Sequence, residues 1–299
     1  MPPVNKISPV KIVPRDAPLG AEVQNVDLAK PVDSATFGKI EAAFHEYGVL
    51  IFRGQHLTEA KHVEFSKRFG ELEIHVLKQY LDNGFPEIHV VSNVKVGDKP
   101  VGIADAGRVW HADYSYKDVP ARASLLYARE VPHDESGHPL GDTLFVNTVL
   151  AYQELPKEIR APLENRKAVH NYGKYYSKQR AEGSSRSALD VDQIKEVENG
   201  TEQPIFRKHP FTKRKCIYVS EGLTTGGISG MSQQDSESTL KKVYDHLYQE
   251  KYIYRHTWKV GDLVLWDNCS TQHLATADFA PDQRRLMHRT TVRGVGPAQ

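Results

Sequence analysis

The chain has 299 residues, of which 39% are hydrophobic and 26% charged, and its formal net charge is +1. That is the composition of a globular protein large enough for one substantial domain. It leaves no broad basic field for nucleic acid or an anionic membrane, no apolar stretch near the ~18 residues of a membrane span, and, with only Cys216 and Cys269, no disulfide framework. The opening Met-Pro-Pro-Val-Asn-Lys lacks a charged region followed by an apolar run, so no signal peptide is expected, and the location read from these features is cytoplasmic.

Phe37, Ile40, Phe44 and Tyr47 recur at helical spacing, and Val49-Leu50-Ile51-Phe52 then reads as a buried strand ending at Arg53-Gly54. Val63, Phe65 and Phe69 mark a second helix that Gly70 stops. These aromatics read as core rather than as ligand contacts. Residues 87–147 are strand-rich: Ile88 to Val91, a polar turn at Gly97-Asp98-Lys99-Pro100, the segment around His111, Ala123 to Ala128, and Thr143 to Val146 after the turn Pro139-Leu140-Gly141-Asp142. From Tyr172 to about Pro204 the chain is dominated by Lys, Glu, Ser and Gly, predicting a lid or a solvated insertion near 172–204. Ser236 to Gln249 is amphipathic, with Leu240, Val243, Tyr244 and Leu247 on one side. A turn at Lys259-Val260-Gly261-Asp262 leads into a buried strand, Leu263 to Trp266, and a last strand runs from near Leu286 to Gly294. Many short strands with a few helices predict a single domain over 1–299, mainly β with flanking helices (α+β), on a double-stranded β-helix (jelly-roll) core.

The most informative segment is Trp110-His111-Ala112-Asp113 together with His273, 162 residues beyond His111. Read as a strand, the segment turns His111 and Asp113 to one face, because side chains alternate. A distant histidine completes a 2-His-1-carboxylate triad, which leaves three positions of an octahedral Fe(II) open. His-x-Asp spacings arise by chance in a chain with 14 histidines, so the motif is weak until its surroundings are weighed. Downstream, Arg285, Met287 and Arg289 share a strand face by alternation, and arginines aimed into a barrel are costly unless anions meet them. A dicarboxylate cosubstrate needs such a bidentate guanidinium partner.

In order and spacing, several segments together resemble the taurine dioxygenase family, the Fe(II)/2-oxoglutarate oxygenases that include chlorophenoxyacetate dioxygenases and alkylsulfatases. They are Gly48 to Arg53, Phe69-Gly70-Glu71-Leu72, Trp110 to Asp113, Gly141-Asp142-Thr143-Leu144-Phe145, Trp266-Asp267-Asn268 with Thr271-Gln272-His273, and Arg285 to Thr290. The resemblance implies His111, Asp113 and His273 as iron ligands. It implies Thr143 as the hydroxyl on a 2-oxoglutarate carboxylate and Arg285 as the clamp on the distal one. It implies Arg289, with His75, as the site of the substrate's anionic group. The reaction implied converts 2-oxoglutarate and O2 to succinate and CO2 while a C–H bond of the substrate is hydroxylated. Asp113 argues against the related halogenases, which carry a small residue at the carboxylate position.

Two positions depart from the taurine enzymes, with Lys78 where they carry tyrosine and Gly107, beside Arg108, where they carry asparagine. Taurine itself is thereby put in doubt, while Lys78 and Arg108 add positive charge toward a small anionic substrate: a sulfonate, sulfate ester, aryloxy acid or amino/N-alkyl acid. A homodimer or homotetramer is a family expectation. The competing readings are a zinc-dependent hydrolase on the same triad, against which Thr143 and Arg285 discriminate, and a non-catalytic small-ligand sensor, against which the intact triad and clamp argue together.

Overall fold

Apolar runs with no polar alternation need cover on both faces, and the computed structural model, which describes residues 9–184 and 186–299, supplies it. The opening segment on which the signal-peptide expectation rests lies outside the described residues, as does Ser185. A seven-stranded sheet has the order Lys11–Pro14, Ala21–Gln24, Val49–Phe52, Leu263–Asp267, Ala123–Glu130, Leu286–Val292, His89–Ser92. A three-stranded sheet places Thr143–Asn147 between Ile253–His256 and Thr271–Ala275.

The period of two sorts the large sheet into layers. Val49, Ile51, Leu126, Ala128, Val264 and Trp266 face the small sheet and share a core with Phe145, Tyr254 and Trp258. Leu50, Phe52, Leu125, Tyr127, Leu263 and Leu265 face the other way, onto Ile40 and Phe44 of helix Ser34–Tyr47 and Phe65 of helix Glu59–Ser66. Register reinforces the sorting, since Leu263 pairs with both Phe52 and Tyr127. The outer face of the small sheet, through Val146, packs on Leu240, Val243 and Leu247 of helix Gln233–Leu247. Among the paired strands of the described residues, Ala21–Gln24 and Val49–Phe52 run parallel, because helix Ser34–Tyr47 crosses between them. Asp33 caps that helix by accepting from the Thr36 N–H, and Gly48, at φ 69°, ends it by donating to the Phe44 carbonyl.

The polar 172–204 stretch is ordered into helix Tyr172–Ala181, helix Val191–Val197 and strand Thr201–Pro204, which pairs with Lys167–His170. Its anchors are Tyr175, Tyr176 and Val197 in the inner core and the capping box between Asp190 and Gln193. Among the described residues no helix is long and apolar enough to cross a membrane.

The fold buries histidines in neutral form. Burial pushes His62 and His170 down to about 3, and His170 is bonded on both ring nitrogens, to Ser115 Oγ and Thr224 Oγ1. A base depressed below its unfolded value of ~6.5 lets the unfolded chain take up the proton first, so its stabilisation is complete above that pH and lost as pH falls. Each such histidine removes about 2 kcal/mol by pH 5. The denaturation midpoint is expected to fall between pH 7 and pH 5, with a shallower slope in His170→Asn. Equal slopes in chemical denaturation would refute this assignment.

Candidate metal centre

His111 enters the site on a bridge rather than a strand. Its N–H donates to the His273 carbonyl at 3.2 Å, and the His273 N–H returns to the His111 carbonyl at 2.9 Å. The imidazole centroids are thereby set 4.1 Å apart. The chain then turns at Asp113, with Tyr114 in the left-handed region at φ 54°, a conformation uncommon outside glycine. The expected strand is therefore corrected to a bridge followed by a turn. Pairing ends there because the Asp113 N–H is taken by Asn268 Oδ1 at 3.1 Å. The side chains still converge. His111 Nε2 lies 3.8 Å from Asp113 Oδ1, and His273 Nε2 lies 4.0 Å from Asp113 Oδ2. One donor atom from each of the three residues lies within 4.8 Å of the others, as holding a common ion requires.

Protonation suits a metal. His111 Nδ1 is 2.8 Å from the Val109 carbonyl, which can only accept, so Nδ1 carries the proton and Nε2 keeps its lone pair toward Asp113. Burial pushes both imidazoles below their ordinary pKa, His273 furthest, so they are neutral at physiological pH. Burial alone would raise the Asp113 pKa. The opposing groups together outweigh it, the Arg289 guanidinium first, then His273, His111 and a Ser124 hydrogen bond, and hold the carboxyl well below the usual range. Arg289 Nη1 donates to Asp113 Oδ1 at 2.8 Å, and Ser124 Oγ donates to Oδ2 at 2.6 Å.

Behind these contacts lies a network that sequence reasoning did not assign. Asn268 Nδ2 donates to Ser124 Oγ at 2.9 Å, and Trp266 Nε1 donates to Asn268 Oδ1 at 3.0 Å. One amide thus orients both the backbone and, through Ser124, the carboxylate of Asp113. The next residue back, Asp267, is anchored by His209 Nε2 at 2.7 Å, the Cys269 N–H at 2.8 Å and Ser270 Oγ at 2.9 Å. The grouping of His209, Asp267 and Cys269 is buried, and the other His209 nitrogen, Nδ1, accepts from the Phe211 and Thr212 N–H groups.

Thr143 and Arg285 are tied to one end of the small sheet, Thr143 at the start of its central strand and Arg285 beside Gly141, two residues earlier. Thr143 pairs with Ala275 as Phe145 pairs with His273, so Thr143 lies on the His273 face, one step along. Its hydroxyl accepts from Trp258 Nε1 at 3.0 Å, leaving its own proton to donate. Arg285 immediately precedes strand Leu286–Val292 and is only 6% exposed, with its Nε unpartnered. Burial pushes the guanidinium down to about 10, with partial relief from Asp278, so it remains a cation. It lies along Gly141, where an added Cβ would come within 3.0 Å of Arg285 Nε and φ is +77°.

Beside the triad is a cavity of about 60 Å³, lined by His75, His89, Tyr114, Tyr172, Arg186 and Arg289 among others. Where ~10–15 Å³ admits one water, that is room for a molecule of a few heavy atoms. His75 stacks on His89 at 4.0 Å. Each accepts at Nδ1, His75 from the Leu77 N–H at 3.0 Å and His89 from Arg289 Nη2 at 3.4 Å. Both rings therefore carry the proton on Nε2 and are donors. Burial, and then neighbouring groups that include Arg289, hold both pKa values well below the ordinary one. Lys78 and Arg108 are exposed, and neither lines this cavity. His89 had a signal in the sequence: alternation puts it on the face of Val91, in the inner core. Arg186 and the tyrosines of 172–204 had none.

The family model for Taurine catabolism dioxygenase TauD, TfdA family matches residues 11–291. The chain belongs to that family. It is similar to pentalenolactone F synthase of Streptomyces arenae, 32% identical over 284 residues and 91% of each chain. It is similar also to the alpha-ketoglutarate-dependent 2,4-dichlorophenoxyacetate dioxygenase of Cupriavidus pinatubonensis, 31% identical over 287 residues, covering 91% of this chain and 94% of that one. The crystal structure of AAD-2 in complex with Mn(II) and N-oxalylglycine superposes with a TM-score of 0.78 at 28% identity, covering 97% of this chain and 99% of that one. In this TauD/TfdA-family enzyme, Asn268→Ala is expected to weaken Fe(II) binding about 10–100-fold, the usual effect of removing a group that orients a ligand. Anaerobic metal titration of the folded variant checks it, and unchanged affinity would remove Asn268 from the centre.

Proposed function

We propose that this chain is an Fe(II)/2-oxoglutarate-dependent dioxygenase that hydroxylates a C–H bond of a small anionic molecule, with O2 consumed and succinate and CO2 released. The observation that carries the reading is the pairing of two unlike features: a neutral His, His, Asp donor set, and a buried guanidinium, Arg285, held against Gly141, two residues before a threonine whose hydroxyl keeps a free proton. The donor set suits Fe(II), and the unpaired buried cation fits a carboxylate that arrives with a cosubstrate. A hydrolase has no need of the second feature. We propose the two facing sheets as the jelly-roll core and residues 172–204 as the cover of the cavity, supported by the place of Tyr172, Tyr175 and Arg186 in its wall. Two buried free thiols, Cys216 and Cys269, support a reducing, cytoplasmic setting.

His111, Asp113 and His273 would hold the iron, and Thr143 and Arg285 the carboxylate of 2-oxoglutarate. With these and dioxygen bound, the centre supplies the oxidising power for C–H hydroxylation. The rest is the work of the chain. Arg289 and Ser124 orient the Asp113 carboxylate. His75 and His89, neutral and protonated on Nε2, present donors without adding charge. Arg289 supplies the cation for the substrate's anionic group, its charge less balanced once Asp113 is committed to a metal. The tyrosine walls exclude water from the space between.

His111→Ala is expected to abolish 2-oxoglutarate turnover in a folded protein, read as succinate formed in air from Fe(II)-loaded enzyme. Normal turnover would refute the metal assignment. Arg285→Ala is expected to raise the 2-oxoglutarate requirement at least tenfold, from loss of a charge-assisted pair of ~1.5–3 kcal/mol, and an unchanged requirement would move the clamp elsewhere. The reaction class is tested with the same assay over taurine, longer alkylsulfonates, sulfate esters, aryloxyacetates and N-alkyl acids. Stimulation by one class supports the reading and names the anion, whereas no succinate at all from iron-loaded protein would overturn it.

A further inference from the structure

The 172–204 segment brings a second arginine into the cavity wall, and no role assigned above uses it. Arg186 is 6% exposed and lines the same space as Arg289. Its guanidinium is held on two sides. Nε donates to Asp105 Oδ1 at 2.8 Å and Nη2 to the Asp105 carbonyl at 3.1 Å, while the group packs 5.4 Å from the ring centres of Tyr175 and Tyr176. Asp105 is itself fixed by the Ser184 hydroxyl. The third nitrogen, Nη1, is buried and has no partner.

The cavity is also unbalanced in its hydrogen-bonding groups. Protons without partners sit on Arg186 Nη1 and His89 Nε2, and the Tyr116 hydroxyl is likewise unpartnered. His75 offers a further N–H. The strong acceptors of the lining, Asp113 and the His111 lone pair, belong to the metal centre. A ligand that satisfies these groups brings oxygens rather than N–H or O–H groups, and needs more of them than the single anion met by Arg289. Because Asp105 and the two tyrosine rings fix the guanidinium in advance, little ordering is left for binding to supply.

We propose that Arg186 is a second substrate-binding arginine, and that the enzyme selects a short molecule bearing an oxygen-rich group in addition to the anion held at Arg289. This rests on the dioxygenase reading for the reaction, while its test reads binding without turnover. Protein loaded with Mn(II) and 2-oxoglutarate is titrated anaerobically, by calorimetry, with a ladder of short linear alkanesulfonates and with the same chains ending in a carboxylate. In the wild type at least one carboxylate-tipped chain is expected to bind about tenfold or more tightly than its plain parent. In Arg186→Lys, whose single nitrogen is taken by Asp105, and in Arg186→Gln, that ratio is expected to fall to about one to two. Measurable binding of the plain chains to the variants shows that the cavity persists. If no tipped chain outbinds its parent in the wild type, or if both variants keep the ratio, the proposal is overturned. An Arg186-dependent preference in a protein that forms no succinate in air would support the arginine's role and overturn the reaction assignment instead.

Discussion

A buried carboxylate without matched partners would be among the costliest features a fold can carry, and the environment of Asp113 governs how this site is built. Its partners come from three neighbouring strands of the large sheet: Ser124 from Ala123–Glu130, Arg289 from Leu286–Val292, and Asn268 from the residue after Leu263–Asp267. The small sheet contributes His273, and the bridge between His273 and His111 ties the Asp113 turn across to it. The candidate centre therefore stands where the two sheets meet, and its geometry depends on their register. A slip of one residue in Leu286–Val292 would turn Arg289 away and leave the carboxylate uncompensated.

Charge in the site is arranged in pairs that can be rewritten. Asp113 is balanced by Arg289, and Arg186 by Asp105, so the cavity wall is near neutral as it stands. A divalent ion on Asp113 would leave Arg289 free to attract an anion, coupling metal binding to substrate binding through one carboxylate. Arg285 differs, since it forms no ion pair with a carboxylate among the described residues. Its cost is borne by the surrounding packing until a ligand meets it.

The burial that keeps His111 and His273 neutral also shapes the protein's response to acid. Imidazoles suited to a metal and imidazoles locked in the core, such as His62 and His170, share one cause, removal of the charged form from water. His170 and His111 differ in the use of the ring nitrogens. His170 spends both on hydroxyls, whereas His111 spends only Nδ1 and keeps Nε2 for the centre.

Much of the molecule was legible in the amino-acid order because local chemistry decided it. Runs such as Val49 to Phe52 and Leu263 to Trp266 have no polar alternation, so they had to be strands covered on both faces, and the spacing of Phe37, Ile40 and Phe44 had to be a helix. The order and spacing of the segments that carry His111, Asp113, Thr143, His273, Arg285 and Arg289 pointed to one family, and the family comparison bears that resemblance out. Tertiary structure alone decided the rest. The turn at Asp113 replaced the expected strand because a partner 155 residues away takes its backbone N–H. Lys78 and Arg108 point to solvent although their charge recommended them, because charge does not encode direction. Arg186 reaches the cavity from a segment whose polarity left a lid and a solvated insertion equally open, because Asp105 and two tyrosine rings, distant or unremarkable in sequence, hold it there. Residue identity sets which reactions a site can support, but which side chains share a cavity depends on long-range contacts whose partners carry no local signal of one another.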